Sequence, residues 1–385
     1  MRAGSGPAAR RPAPRLTASD RQIVAQLRPE NALRHLRHLT ESIGQRYTGT
    51  PQEKAAADYI AATLDGYGYD VELETFTVPD RRVDELSGRG LPESLCWGVG
   101  SGDRSRQDVA VVSTRADAVY PRQAAAFAPR LTADVPVPVV GVGQVRKHAL
   151  LELLQAGPVP LTVTTTLHVA PTSQNVHATR AGRRGPAHLR RERVVVCAHY
   201  DSVIGARGAN DDGSGTVLCL ELARTMRNLP TTADLTFSLW GSEEVGLVGS
   251  RLYAGGLDPA EKAHLRGVFN NDMVGTSWDP AEKYWVLDYD GRSNPVNAQV
   301  LAAGERLGYR ARMSDVTRRG ASDHQSFLEV GVASGNFSWR GVETPALLEP
   351  EYHSADDTIE ANISLERLTI SMEIQGCAAY ALARD

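Results

Sequence analysis

Cysteine is scarce in this chain. The four that occur, Cys96, Cys197, Cys219 and Cys377, are far apart and form no Cys-x-x-Cys pair. That excludes a thiolate zinc site of the usual spacing and a dense disulfide framework. A long apolar run is missing too: no stretch reaches the roughly 20 residues that a membrane-spanning helix needs, so no membrane insertion is expected. Residues 1–15 mix Arg, Ala, Gly and Pro without the apolar middle of a secretory signal, and read as a disordered tail. A cytoplasmic location is therefore expected, or export if the N-terminus is incomplete. Positive charge is not in excess. The formal net charge is -4, so no basic field points to nucleic acid. What is present, 42% hydrophobic and 23% charged residues over 385 positions, suits a globular protein with room for two or three domains.

Helical spacing begins after the tail. Ser19 can cap a helix carrying Ile23, Val24 and Leu27, and Pro29 can open a second one. Thr50-Pro-Gln-Glu53 is a capping box ahead of Ala56, Tyr59, Ile60 and Leu64. Val71 to Val78 alternates as a strand does. From Pro79 to Pro171 the composition changes to short strand-like runs broken by Pro and Gly, chiefly Val109 to Val112, Val135 to Val142 and Leu161 to Leu167. Strands alternate with helices again from Asn175 onwards. The expected fold is α/β: a mainly parallel central sheet flanked by helices, made of residues 16–78 and 172–385, with a small module inserted at 79–171.

Chemistry concentrates at the ends of the expected strands. Val194-Val-Val-Cys-Ala reads as a strand covered on both faces, and it runs into His199 and Asp201. Asp211 and Asp212 follow in a glycine-rich turn. The strand Asp234 to Trp240 leads into Glu243 and Glu244, and the strand Gly267 to Asn271 ends on Asp272. Tyr352-His353 lies in a late loop. Strands side by side bring such ends to one crevice. Alone, each pair has an ordinary explanation: a hydrogen-bonded His, a turn, a helix-start acid. Together, carboxylates and imidazoles in one crevice need a positive charge, and that donor set suits zinc. Five ligands with one carboxylate shared fit a pair of ions better than one.

The motifs that carry these residues are His199-Tyr-Asp-Ser202, Gly208-Ala-Asn-Asp-Asp-Gly-Ser-Gly215, Ser242-Glu-Glu-Val-Gly-Leu-Val-Gly-Ser250, Asn271-Asp-Met-Val-Gly275 and Tyr352-His-Ser-Ala-Asp-Asp-Thr358. In this order they resemble the M28 family of zinc metallopeptidases, and bacterial aminopeptidases in particular. The resemblance implies two Zn2+ ions, with Asp211 bridging, His199 and Asp272 completing one site, and Glu244 and His353 the other. It implies Glu243 as general base, Asp201 as the partner of the His199 ring, and the Tyr352 hydroxyl as a donor to the oxyanion. The implied substrate is a peptide with a free N-terminus. The inserted module resembles a protease-associated domain. Some relatives have Arg immediately before Ser-Asp-His, where this chain has Ala321, with Arg318 and Arg319 just upstream. A carboxypeptidase of the same fold is the nearest rival, favoured if Arg318, Arg319 or Arg340 lines the pocket. A glutaminyl cyclase, with one zinc, and a receptor-like binding module that has lost catalysis are further rivals.

Overall fold

The computed structural model describes residues 15–88, 90–99, 110–112, 139–183 and 192–384. Residues 1–14 of the expected tail, Val109, positions 135–138 and most of the basic stretch before Arg193 lie outside them. The strands in chain order are β1 (Asp70–Thr77), β2 (Arg81–Gly88), β3 (Leu91–Val99), β4 (Ala110–Val112), β5 (Val139–Gly141), β6 (Leu161–His168), β7 (Thr172–Arg180), β8 (Arg193–His199), β9 (Asp234–Trp240), β10 (Leu265–Asn271), β11 (Lys283–Asp288), β12 (Met313–Arg318) and β13 (Ser334–Arg340).

Two sheets result. The larger has the order β1-β7-β9-β8-β10-β13-β11-β12. Its centre, β9-β8-β10-β13, is parallel, as the alternation of strands and helices requires. Both flanks turn antiparallel, at β1–β7–β9 and at β13–β11. The sheet is therefore mixed but mainly parallel, as expected, with three parallel pairs in its middle and a fourth, β11–β12, at one edge. The second sheet, β4-β5-β3-β2-β6, lies wholly between β1 and β7, which pair with each other along their full length. Leu86, Val140 and Val142 form its small separate core.

β8 shows why a β-branched run forms a central strand. Val194, Val196 and Ala198 face the main core, with the helices Pro51–Gly66, Gly215–Met226, Pro295–Leu307 and Leu365–Arg384. Val195 and Cys197 point the other way, onto Ala254, Leu257, Phe327 and Val332 beneath the helices Val248–Gly256 and His324–Glu329. Alternate side chains are thus covered by different helical layers.

Two local expectations are corrected. Thr17, not Ser19, caps the first helix, because Thr17 and Asp20 satisfy each other's backbone N–H groups. Thr50 caps the third helix as expected, but the Glu53 carboxylate accepts from the Gly49 N–H and the Ser173 hydroxyl rather than closing a capping box. No helix among the described residues is long and apolar enough to cross a membrane.

Candidate metal centre and active site

The ends of β8, β9 and β10 stand level. His199 lies opposite Trp240, and Cys197 lies opposite both Ser238 and Asn270. The loops leaving these strands start at one edge of the sheet, and the loop around Tyr352 and His353 closes over them. A cavity of about 70 Å3 lies there, lined by His199, Asp211, Glu243, Glu244, Asp272 and His353 among others.

Asp211 sits at the centre. One of its oxygens is 3.3 Å from His199 Nε2, and the other is 3.0 Å from His353 Nε2. His353 Nε2 is also 3.1 Å from Glu244 Oε2. The donor atoms of His199, Asp211 and Glu244 fall within 4.8 Å of one another, as do those of His199, Asp212 and Asp272. Asp212 also braces the turn, since its Oδ1 accepts the N–H groups of Gly215 and Met273 at 2.9 and 3.2 Å. That ties the acidic turn to the loop after β10.

The chain is held tightly here. Ser242, Leu247, Met273, Ala321 and His353 are non-glycine residues with positive φ, and all sit in loops around the cavity. L-residues adopt that conformation at a cost, which the surrounding contacts must offset. The Asp211–Asp212 peptide is cis.

Electrostatics point to a cation. Burial, with neighbouring acids adding to it, raises the carboxyls of Glu243, Glu244 and Asp272, Glu244 to about 7. Burial opposes a charged His353, yet Glu244 and Asp211 push it up to about 10. Glu244 Oε1 and Asp272 Oδ1 are buried with no hydrogen-bond partner among the described residues. Lone oxygens of this kind are costly unless something positive faces them. Carboxylate and imidazole donors that converge on a shared aspartate fit zinc.

Comparison with known proteins agrees. The sequence profile of peptidase family M28 matches residues 175–376. Aminopeptidase YwaD of Bacillus subtilis is 32% identical over 410 residues, covering 95% of this chain and 87% of the relative. The chain belongs to peptidase family M28. Among solved structures, the M28 peptidase is similar to BSAP, a zinc aminopeptidase from Bacillus subtilis, with 30% identity, a TM-score of 0.78, and coverage of 93% and 96% of the two chains. It is also similar to an aminopeptidase from Aneurinibacillus sp. strain AM-1, with 28% identity, a TM-score of 0.68, and coverage of 95% and 96%.

The structure brings together every residue that the motifs of this M28 peptidase single out. His199, Asp211, Glu243, Glu244, Asp272, Tyr352 and His353 line one cavity. Tyr352 stacks on the His353 ring at 3.8 Å. Asp201 lies just beneath, with Oδ1 at 3.4 Å from His199 Nδ1, and it accepts the backbone N–H groups of Glu243 and Glu244. Arg319 and Arg340 also line the cavity, whereas Arg318 is not among its lining residues.

Sequence reasoning missed the frame of this M28 site. Asp357 accepts the N–H of Asn210 at 2.9 Å and that of Asp211 at 3.1 Å. Glu349 accepts from the amides of Asn210 and Asn362, both buried. Arg46, fully buried, donates to the carbonyls of Tyr200, Arg207 and Gly208 and so pins the loop after β8. Asp357 and Asn210 lie inside motifs already noted, so position within a motif was the available signal. Arg46 and Glu349 lie outside them and carry none.

Proposed function

We propose that this protein is a zinc-dependent aminopeptidase that binds two ions and removes N-terminal residues from peptides. The observation that carries the reading is Asp211 facing His199 with one oxygen and His353 with the other, beside Glu244 and Glu243. His199, Asp211 and Asp272 would hold one ion; Asp211, Glu244 and His353 would hold the other. Zinc, when bound, lowers the pKa of a water molecule and polarises a carbonyl. Glu243, next in sequence to the Glu244 that pairs with His353, takes the proton of the attacking water and passes it to the leaving amine. Asp201 fixes that turn and the His199 ring together. The Tyr352 hydroxyl donates to the oxyanion as the carbonyl becomes tetrahedral. Carboxylates around the cavity hold the substrate's free ammonium group. Relatives named as aminopeptidases support the same reading.

Residues 79–171 act, in this reading, as a protease-associated-like module that guides substrate. Arg81, at the start of β2, donates to the carbonyl of Val245 at 3.2 Å, two residues past the proposed base. A receptor-like binding module is disfavoured because each ligand and base position suggested by the motifs is filled.

Hydrolysis of aminoacyl-nitroanilides beside N-blocked peptides, with zinc content measured on the same sample, tests the function. About two zincs per chain and activity confined to free N-termini are expected. Cleavage of N-blocked peptides from the C-terminus would move the enzyme to the carboxypeptidases. Glu243→Gln should keep both metals and lower kcat by a factor of about 100 to 10,000.

A further inference from the structure

Charge is sorted across the cavity. Glu243 and Glu244 follow β9, His199 ends β8 with Asp211 in the turn after it, and Asp272 follows β10, so the cavity's acids come from three neighbouring strands, while His353 reaches them from the loop after β13. Arg340 ends β13, the next strand beyond β10, and Arg319 enters from the loop after β12. One side of the cavity is acidic, and the other is lined by two arginines.

Arg340 is only 3% exposed. It donates through one terminal nitrogen to the Pro345 carbonyl at 3.0 Å. Its Nε is buried with no hydrogen-bond partner among the described residues, and no described carboxylate lies within ion-pair distance of it. A buried cation with an unused donor is costly. The charge of Arg340 does reach Asp272 and holds that carboxyl down against the pull of burial. Such long-range compensation leaves the Nε donor unexplained. A guanidinium fixed on a strand, facing a cavity, matches the two oxygens of a carboxylate. Ala321, Met273 and Leu348 complete this side of the wall and bring no competing acid.

We propose that Arg340, with Arg319, forms a carboxylate-recognising subsite, so that preferred substrates carry a carboxylate within one residue of the scissile bond. Two sources supply that chemistry: an acidic first side chain, or the free C-terminus of a dipeptide. The proposal rests on the peptidase reading above and narrows it to a substrate class.

The test uses the full chain loaded with zinc and two matched pairs that differ in one carboxylate. Glu-nitroanilide against Gln-nitroanilide reads the first side chain. Leu-Leu against Leu-Leu-amide reads the C-terminus. One pair is expected to show a preference of about tenfold or more in kcat/KM for the carboxylate, and Arg340→Gln should bring that ratio close to one. If thermal melting shows that this variant is unfolded, Arg319→Gln, at a less buried side chain, carries the same measurement. Equal kcat/KM within both pairs in the native enzyme overturns the subsite. So does an Arg340→Gln loss that is equal for both members of a pair, since that makes Arg340 a counter-charge for Asp272 alone. Leu-nitroanilide separates the two readings. Its hydrolysis with flat ratios removes only the subsite, and a zinc-loaded enzyme inert on every substrate removes the aminopeptidase reading as well.

Discussion

One carboxylate, that of Asp201, faces the ring of His199 at 3.4 Å and accepts the backbone N–H groups of Glu243 and Glu244 at 3.0 and 3.2 Å. An amide in its place presents a donor on one side, where all three neighbours suit an acceptor. Asp201→Asn should therefore loosen the proposed ligand His199 and the turn of the proposed base Glu243 at once, weakening metal affinity by about 10–100-fold. Zinc retention against a graded chelator measures this. A titrating group away from the site gives an independent reading of stability. Burial, helped by the charge of Arg34, lowers His35 to about 4, and its ring nitrogens face the hydroxyls of Tyr59 and Tyr67 at 2.6 and 3.1 Å. In the unfolded chain its pKa is about 6.5. Between those values the unfolded chain holds a proton that the fold does not, so stability rises with pH and is lost as pH falls from about 6.5 to about 4. Denaturant midpoints at pH 4.5 and pH 7 should differ less in His35→Gln than in the native chain. At this scale the side chains that meet the cavity were legible, because several strand ends followed by acids or imidazoles converge on one crevice, although each alone has an ordinary use. The side chains that hold them were not. Arg46 lies about 150 residues ahead of the loop it pins, and Glu349 meets Asn210 across 139 residues.

Elements with a clean pattern announced themselves. β8, β9 and β10 are buried apart from one half-buried residue each, carry an apolar run or alternation, and each leads to a site residue. β2 begins Arg-Arg-Val-Asp-Glu, and β12 reads Met-Ser-Asp-Val-Thr-Arg. Those compositions suit a loop as well as a strand. Their pairing with β3, β6 and β11 comes from tertiary context, which local pattern does not carry. The antiparallel flanks were hidden for the same reason, since direction is set by where the chain returns. The apolar elements should also bear most of the stability. Phe237 on β9 is fully buried and meets Tyr69 edge to face at 5.5 Å, and Tyr69 donates to the Ala223 carbonyl on the helix Gly215–Met226. Phe237→Ala leaves a cavity where sheet, helix and N-terminal segment join, and should cost about 3–5 kcal/mol. Urea unfolding with an unchanged m-value would show that the loss is native-state packing.

Across the whole molecule the site ties together segments that the core alone does not. His199, Asp211, Glu244, Asp272 and His353 come from five stretches of chain, and the loop that bears His353 packs over the cavity rather than into either main apolar cluster. Ions shared among them, as proposed, would act as cross-links between β8, β9, β10 and that loop. A ligand that binds only the folded chain stabilises it by about 2.7 kcal/mol at a hundred times its dissociation constant, so two such ions add roughly 5 kcal/mol. For a chain of this size that amounts to a melting temperature higher by roughly 6 °C. Protons compete with metal for carboxylates and imidazoles, so the gain must shrink in acid. Scanning calorimetry with and without chelator should show a wide gap at pH 7.5 and a narrower one at pH 5.5, with added zinc restoring the upper transition. Scans that ignore chelation at both pH values would mean that the acids around Asp211 are neutralised by protons and arginine alone. The burial of five convergent donor groups would then need another cause.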